Sequence, residues 1–113
     1  MTDEEKTAVR KDFREASNMP PARLETWLKT EDSKRVGWKG EDGKGAGESV
    51  GHHSGRRIVE IKRTKKADLT AEDYAHMKKV VGYVSRHRAQ GPADKQHSDW
   101  RYSLMNWGHD PLR

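Results

Sequence analysis

The chain has 113 residues, 23 Lys and Arg against 18 Asp and Glu, no cysteine, and a formal net charge of +5. That length suits one domain with a small core, and the missing thiol excludes disulfides, thiolate catalysis and cysteine zinc sites. Only 31% of the residues are hydrophobic and 36% are charged, a balance close to disorder, yet four Trp and three Tyr supply anchors for a folded domain.

In chain order, Thr2 with Glu5 makes a capping box that predicts a helix from Asp3 to Ala16. Its apolar side is thin, carrying Val9 and Phe13 with Ala8 and Ala16, so residues 1–16 are expected to dock loosely. Asn18-Met19-Pro20-Pro21 breaks that helix, and Pro21 suits the first position of the next, because its missing N–H has no intrahelical partner there. Leu24, Trp27 and Leu28 form the buried stripe of this second helix; Thr30 then caps a short helical turn from Glu31 to Val36, ended by Gly37. Trp27 and Trp38 are expected in the core rather than as base-stacking platforms. Residues 37–48 form a glycine-rich loop. Lys44 and Ser49 evoke a phosphate loop, but the spacing is wrong and no strand precedes them.

The next stretch, residues 49–66, predicts a basic helix leading into a turn. Gly47, Gly51 and Gly55 recur every fourth residue on one side, which favours close helix packing. Ile58, Ile61 and Lys65 continue one stripe, with Val59 beside it. Thr70 then caps a long helix, with Asp73 completing a capping box and Leu69 and Tyr74 a hydrophobic staple. Tyr74, Met77, Val81, Val84 and Arg88 share its stripe, Val80 and Tyr83 widen it, and the helix is expected to reach Ala89 before Gly91-Pro92 stops it. Ser98 caps a last short helix in which Trp100, Leu104 and Trp107 share a face, ended by Gly108 and Pro111. No strand-period alternation occurs. The expected fold is therefore all-α, a small single-domain bundle of five or six helices spanning 1–113, with the glycine-rich loop between its N- and C-terminal helices.

Candidate chemistry is sparse. His52 and His53 point about 100° apart on a helix, and His76 and His87 lie roughly 16 Å apart by its rise, so neither pair makes a metal site. With no nucleophile elbow, phosphate loop or carboxylate pair, no catalytic residue, metal or cofactor is expected and the chain reads as a non-enzyme. Charge carries the clearest signal. Residues 1–48 hold 10 basic and 11 acidic side chains, net −1, whereas 49–113 hold 13 and 7, net +6. Arg56, Arg57, Lys62, Arg63, Lys65 and Lys66 oppose only Glu60, and Lys78, Lys79, Arg86 and Arg88 extend the array. Such a field attracts polyanions, so these ten residues are the expected nucleic-acid contacts, with double-stranded DNA the favoured partner. Phosphate contacts position a protein without reading sequence, and the exposed face lacks the Asn and Gln that read bases, so specificity should be weak. The alternative is an interaction module or homodimer using the Gly51 and Gly55 face. No apolar run reaches the length of a signal-peptide core or a membrane span, which suggests a soluble cytoplasmic protein with no membrane partner.

GESVGHHSGRRIVEIKRTKKADLTAEDYAHMKKVVGYVSRHRAQ and the closing WRYSLMNWGHDPLR resemble a family of small, mainly bacterial proteins of unknown function, sometimes labelled DNA-binding. The resemblance runs from Val9 to Arg113 and brings no established active site. In a bacterium the DNA-binding reading would place the protein at the nucleoid. Two positions depart from the pattern: Pro20 stands where a polar cap is expected, and Lys62 where an apolar residue is usual.

Overall fold

The structure is a computed structural model that describes residues 1–36, 50–91 and 98–112. Loop 37–48 and the expectations placed on Trp38, Lys44, Gly47, Ser49 and Pro92 lie outside the described residues. Among those described are six α-helices and no strand: α1 Asp3–Ala16, α2 Pro21–Leu28, α3 Glu31–Arg35, α4 Val50–Lys62, α5 Ala71–Arg88 and α6 Asp99–Asn106, with a single 3₁₀ turn at Lys66–Asp68. The fold is all-α.

Local chemistry sets the helix starts. Thr2, Thr30, Thr70 and Ser98 each accept a bond from the backbone N–H three residues on, and Asp73 reciprocates to the Thr70 N–H. Each such cap is worth about 1 kcal/mol. Pro21 opens α2 without a side-chain cap.

The basic helix is shorter than its apolar stripe predicts. It stops at Lys62, where the Arg63 N–H is shared between the Val59 and Glu60 carbonyls and the Thr64 N–H turns back to Ile61. The Thr64 hydroxyl takes the Glu60 carbonyl as well, at 2.7 Å. Lys65 therefore sits in the turn, exposed, and does not extend the buried stripe.

Consecutive helices do not pair as a simple hairpin. α1 lies along α5, α2 along α4, and α6 touches α2, α3, α4 and α5. The core contains Phe13, Leu24, Leu28, Ile58, Ile61, Tyr74, Met77, Val80, Val84, Leu104 and Trp107. α1 contributes more than its thin apolar side suggests: Phe13 is buried, Arg10 Nη1 donates to the Tyr74 hydroxyl at 2.7 Å, and Lys6 lies over the Tyr74 ring. Polar groups thus supply part of the docking that composition understates.

The glycine face of α4 already has an occupant. A Cβ on Gly55 would collide with the Asn106 carbonyl oxygen and lie 2.7 Å from Leu28, and one on Gly51 would lie 3.0 Å from Trp107 Nε1. Close packing is what these glycines permit, and the packed helices are this chain's own α2 and α6. In the folded monomer Leu28, Asn106 and Trp107 lie against the face on which the alternative reading places a partner.

Buried polar groups fasten the C-terminal end, and none was anticipated from the sequence. Asn106 accepts from Trp27 Nε1 at 2.8 Å and from the Ser33 hydroxyl, and donates to the Ser33 carbonyl at 2.9 Å. Asn18 and Asp110 exchange two bonds between side chain and backbone. Gly108, at φ 78°, occupies the left-handed region, and a Cβ there would strike the Ser17 hydroxyl. The segment after α6 is thereby zipped onto the turn between α1 and α2.

Candidate nucleic-acid interface

The ten expected cations fall into different settings. Arg57 pairs with Asp73 on α5 and lies 3.6 Å from Glu60, while Arg63 pairs with Glu25 of α2 at 2.7 Å. Asp73 is held below the ordinary carboxylate range, chiefly by the Thr70 backbone N–H and further by Arg57. Lys62 reaches inward, donating to the Ser17 carbonyl at 2.6 Å and the Met19 carbonyl at 2.9 Å, with its ammonium over the Phe13 ring. Half of the six-residue cluster therefore takes part in holding the bundle together. The expectation that the whole cluster forms an outward surface needs correction. It arose because sequence counts charges without revealing the side chains that tertiary packing puts opposite them.

Arg56 lies on the outer side of α4, in a cleft of about 730 Å³ shared with Glu25, Glu60, Arg63, Lys29 and Lys34. Lys65 and Lys66 are exposed in the turn, and neither side chain has a hydrogen bond or ion pair among the described residues. On α5, Lys78, Lys79, Arg86 and Arg88 are all exposed. Lys79 and Arg86, seven residues apart, recur on one stripe two turns along. Arg88 instead lines a cleft beside Asp12 and Glu15 of α1, so its field is opposed locally.

α1 brings in three cations that the sequence reading passed over. Arg10 and Arg14 line a groove of about 300 Å³ with Lys62, Thr64 and Lys66, floored by Phe13, Ile61, Leu69 and Met77. None of the described residues lining it is acidic. An adjoining cleft is lined by Lys6, Arg10 and Lys66, with Asp3 as its acidic residue. A signal was available, since Lys6, Arg10 and Arg14 stand at i, i+4 and i+8. Like charges at that spacing destabilise a helix by a few tenths of a kcal/mol per pair, whereas an ordinary solvated helix favours opposite signs there.

Two of the histidines serve the fold. His52 Nε2 donates to the Leu28 carbonyl at 2.7 Å, and His109 Nδ1 donates to the Ala16 carbonyl at 2.6 Å. Ser54 Oγ lies 2.8 Å from His76 Nε2, the spacing of an activated nucleophile. Ser54, however, is only 1% exposed on the packed face of α4, which keeps its hydroxyl out of a substrate's reach. Burial, with the Arg57 and Lys79 charges, pushes the His76 imidazole below its ordinary value. Among the described residues no cluster of three His, Asp or Glu could hold a metal ion, and no helix is long and apolar enough to cross a membrane.

A family model described as a protein of unknown function, DUF3140, matches residues 12–105. No curated protein and no solved structure matches the chain.

Proposed function

The chain belongs to the DUF3140 family of proteins of unknown function, and for this member we propose nucleic-acid binding, weakly sequence-specific and directed at duplex DNA. The observation that carries the proposal is the meeting of two cationic arrays from different elements: Lys6, Arg10 and Arg14 along α1, and Lys65 and Lys66 in the turn after α4. A surface of this kind displaces counterions from a phosphate backbone, and that release is the main source of non-specific affinity. Arg57, Lys62 and Arg63 act as supports within the fold, and Lys78, Lys79 and Arg86 are further exposed cations on α5.

Two further observations bear on the kind of nucleic acid. Asn18 and Asn106, which could read base edges, are taken up inside the fold by Asp110, Trp27 and Ser33, in line with weak specificity. Trp27, Trp100 and Trp107 pack against or within the core, where they offer no stacking platform of the sort single strands need. A duplex backbone is the better match.

Titration of labelled duplex DNA, single-stranded DNA and RNA at several salt concentrations tests the proposal. Duplex affinity should be highest and should fall steeply with salt, and Lys65→Glu with Lys66→Glu should abolish it while helix content stays intact. Absence of binding at low salt, or affinity indifferent to salt and to both reversals, would end the proposal.

A further inference from the structure

We infer that the groove between α1 and the turn following α4 is a seat for a single phosphate group, made by Arg10, Arg14 and Lys66. This deepens the proposed function and rests on it only for the source of the phosphate, which is either the diester backbone of a duplex or a small phosphate ester.

The geometry differs from that of an ordinary charged patch. Arg10 is half-buried and oriented by two uncharged partners, the Tyr74 hydroxyl at 2.7 Å and the Thr7 hydroxyl at 3.0 Å. Its guanidinium is thus positioned while its charge stays unopposed by either partner. The side chains of Arg14, one helical turn on, and Lys66, across the groove, have no hydrogen bond or ion pair among the described residues. Both are exposed and able to swing onto a ligand. The three converge on one apolar-floored depression whose described lining holds no carboxylate. Phe13, Ile61, Leu69 and Met77 beneath them lower the local dielectric, which strengthens attraction to an anion and raises the cost of holding like charges there alone.

A guanidinium pair with one ammonium matches a tetrahedral oxyanion bearing one or two charges, since the arginines can each present two N–H groups and the lysine a point charge. A volume of about 300 Å³ admits one phosphate with its ester substituent leading out of the groove. The turn Lys62–Lys66 supplies one wall and α1 the other, so the seat exists only when α1 is docked on α5.

The experiment has two arms. In the first, inorganic phosphate is added at constant ionic strength, with chloride as control, while the Arg10 and Arg14 side-chain Nε–H and the Lys66 backbone signals are followed by NMR. Saturable shifts at these positions, weakened about tenfold by Arg14→Ala and by Lys66→Ala, are the expected result. In the second, duplex DNA is titrated against the same variants, each expected to lower the salt slope by about one. Phosphate binding with no duplex binding keeps the seat, assigns it to a small phosphate ester and removes the nucleic-acid reading. Duplex binding that both alanine variants leave unchanged, or phosphate shifts that are unsaturable or spread over Lys78, Lys79 and Arg86, overturns the seat and leaves the broader proposal standing. Arg10→Lys keeps a charge but loses the oriented fork; equal phosphate affinity in that variant also counts against it.

Discussion

Arg57 and Arg10 are both half-buried arginines that reach from neighbouring helices toward α5, yet one meets a carboxylate and the other a phenol. Around Arg57 the positive charges of α4 are answered by Asp73, Glu60 and, at the end of the helix, by Glu25 opposite Arg63. Around Arg10 the acceptors are hydroxyls, and around Lys62 they include two carbonyls. The first region is the more cationic in sequence. The second has the groove lined by Arg10, Arg14, Lys62 and Lys66, with no acid in its described lining. Charge density along a chain therefore says less about an electrostatic surface than does the identity of the groups that folding places opposite each charge.

Removing the carboxylate that defines the first region should have the largest effect. Asp73→Ala loses both the reciprocal bond to Thr70 and the Arg57 pair, and should cost about 3 kcal/mol in urea unfolding. Duplex affinity, measured where the variant is still folded, should hold or rise, because Arg57 loses its main internal counter-charge. Unchanged stability would mean that the two regions do not differ as described.

Lys62 sharpens the same contrast from the other side. Lys62→Met keeps the stem that packs over Phe13 but removes both bonds to the turn between α1 and α2, and about 2 kcal/mol of stability should go with them. Amide exchange at residues 17–19 should accelerate, while duplex affinity changes by less than that of Lys66→Ala. A normal exchange pattern with a large affinity loss would move Lys62 from support to ligand contact.

What the sequence made legible was local, because its determinants lie within one or two helical turns. The caps at Thr2, Thr30, Thr70 and Ser98, the entry at Pro21 and the small-residue face at Gly51 and Gly55 all belong to that class. Partner selection was not legible. Lys62 finds Ser17 across 45 positions, and Asn106 finds Ser33 across 73, and no pattern in either segment announces the match. The α1 cations fall between these cases: their i, i+4 repeat was visible, but its meaning depends on Lys66 coming to face it.

Smaller again is the expected effect of Tyr74→Phe, which removes the hydroxyl that orients Arg10 and leaves the buried ring in place. About 1 kcal/mol of stability should be lost, and phosphate affinity should weaken because the guanidinium is no longer held. If the Tyr74→Phe variant binds phosphate as tightly as the wild type, Arg10 is not preorganised by this contact.

The smallest effect concerns a group that is neutral at rest. His109 donates Nδ1–H to the Ala16 carbonyl, and its buried Nε2 has no hydrogen-bond partner among the described residues, so a proton added there would carry its charge without an acceptor. Burial, aided by the Arg88 charge, holds this imidazole below its ordinary value despite the opposing influence of the Ala16 bond and Asp110. In the interval between the folded value and about 6.5 the unfolded chain takes up a proton that the folded chain resists. The stability tied to His109 is therefore complete above about pH 6.5 and is lost as pH falls. Asp110, whose burial is outweighed by Arg101, the Leu112 N–H and Arg23, titrates below its ordinary carboxylate value and holds its contribution throughout that interval. His76 and His87 are shifted in the same direction as His109, so His109→Asn should remove only one share of the acid sensitivity. Because Asn can still donate to Ala16, the variant should be slightly less stable at about pH 7.5 and should converge on the wild type by about pH 5.5. Parallel Tm curves across that range would show that folded His109 takes up its proton as readily as the unfolded chain does.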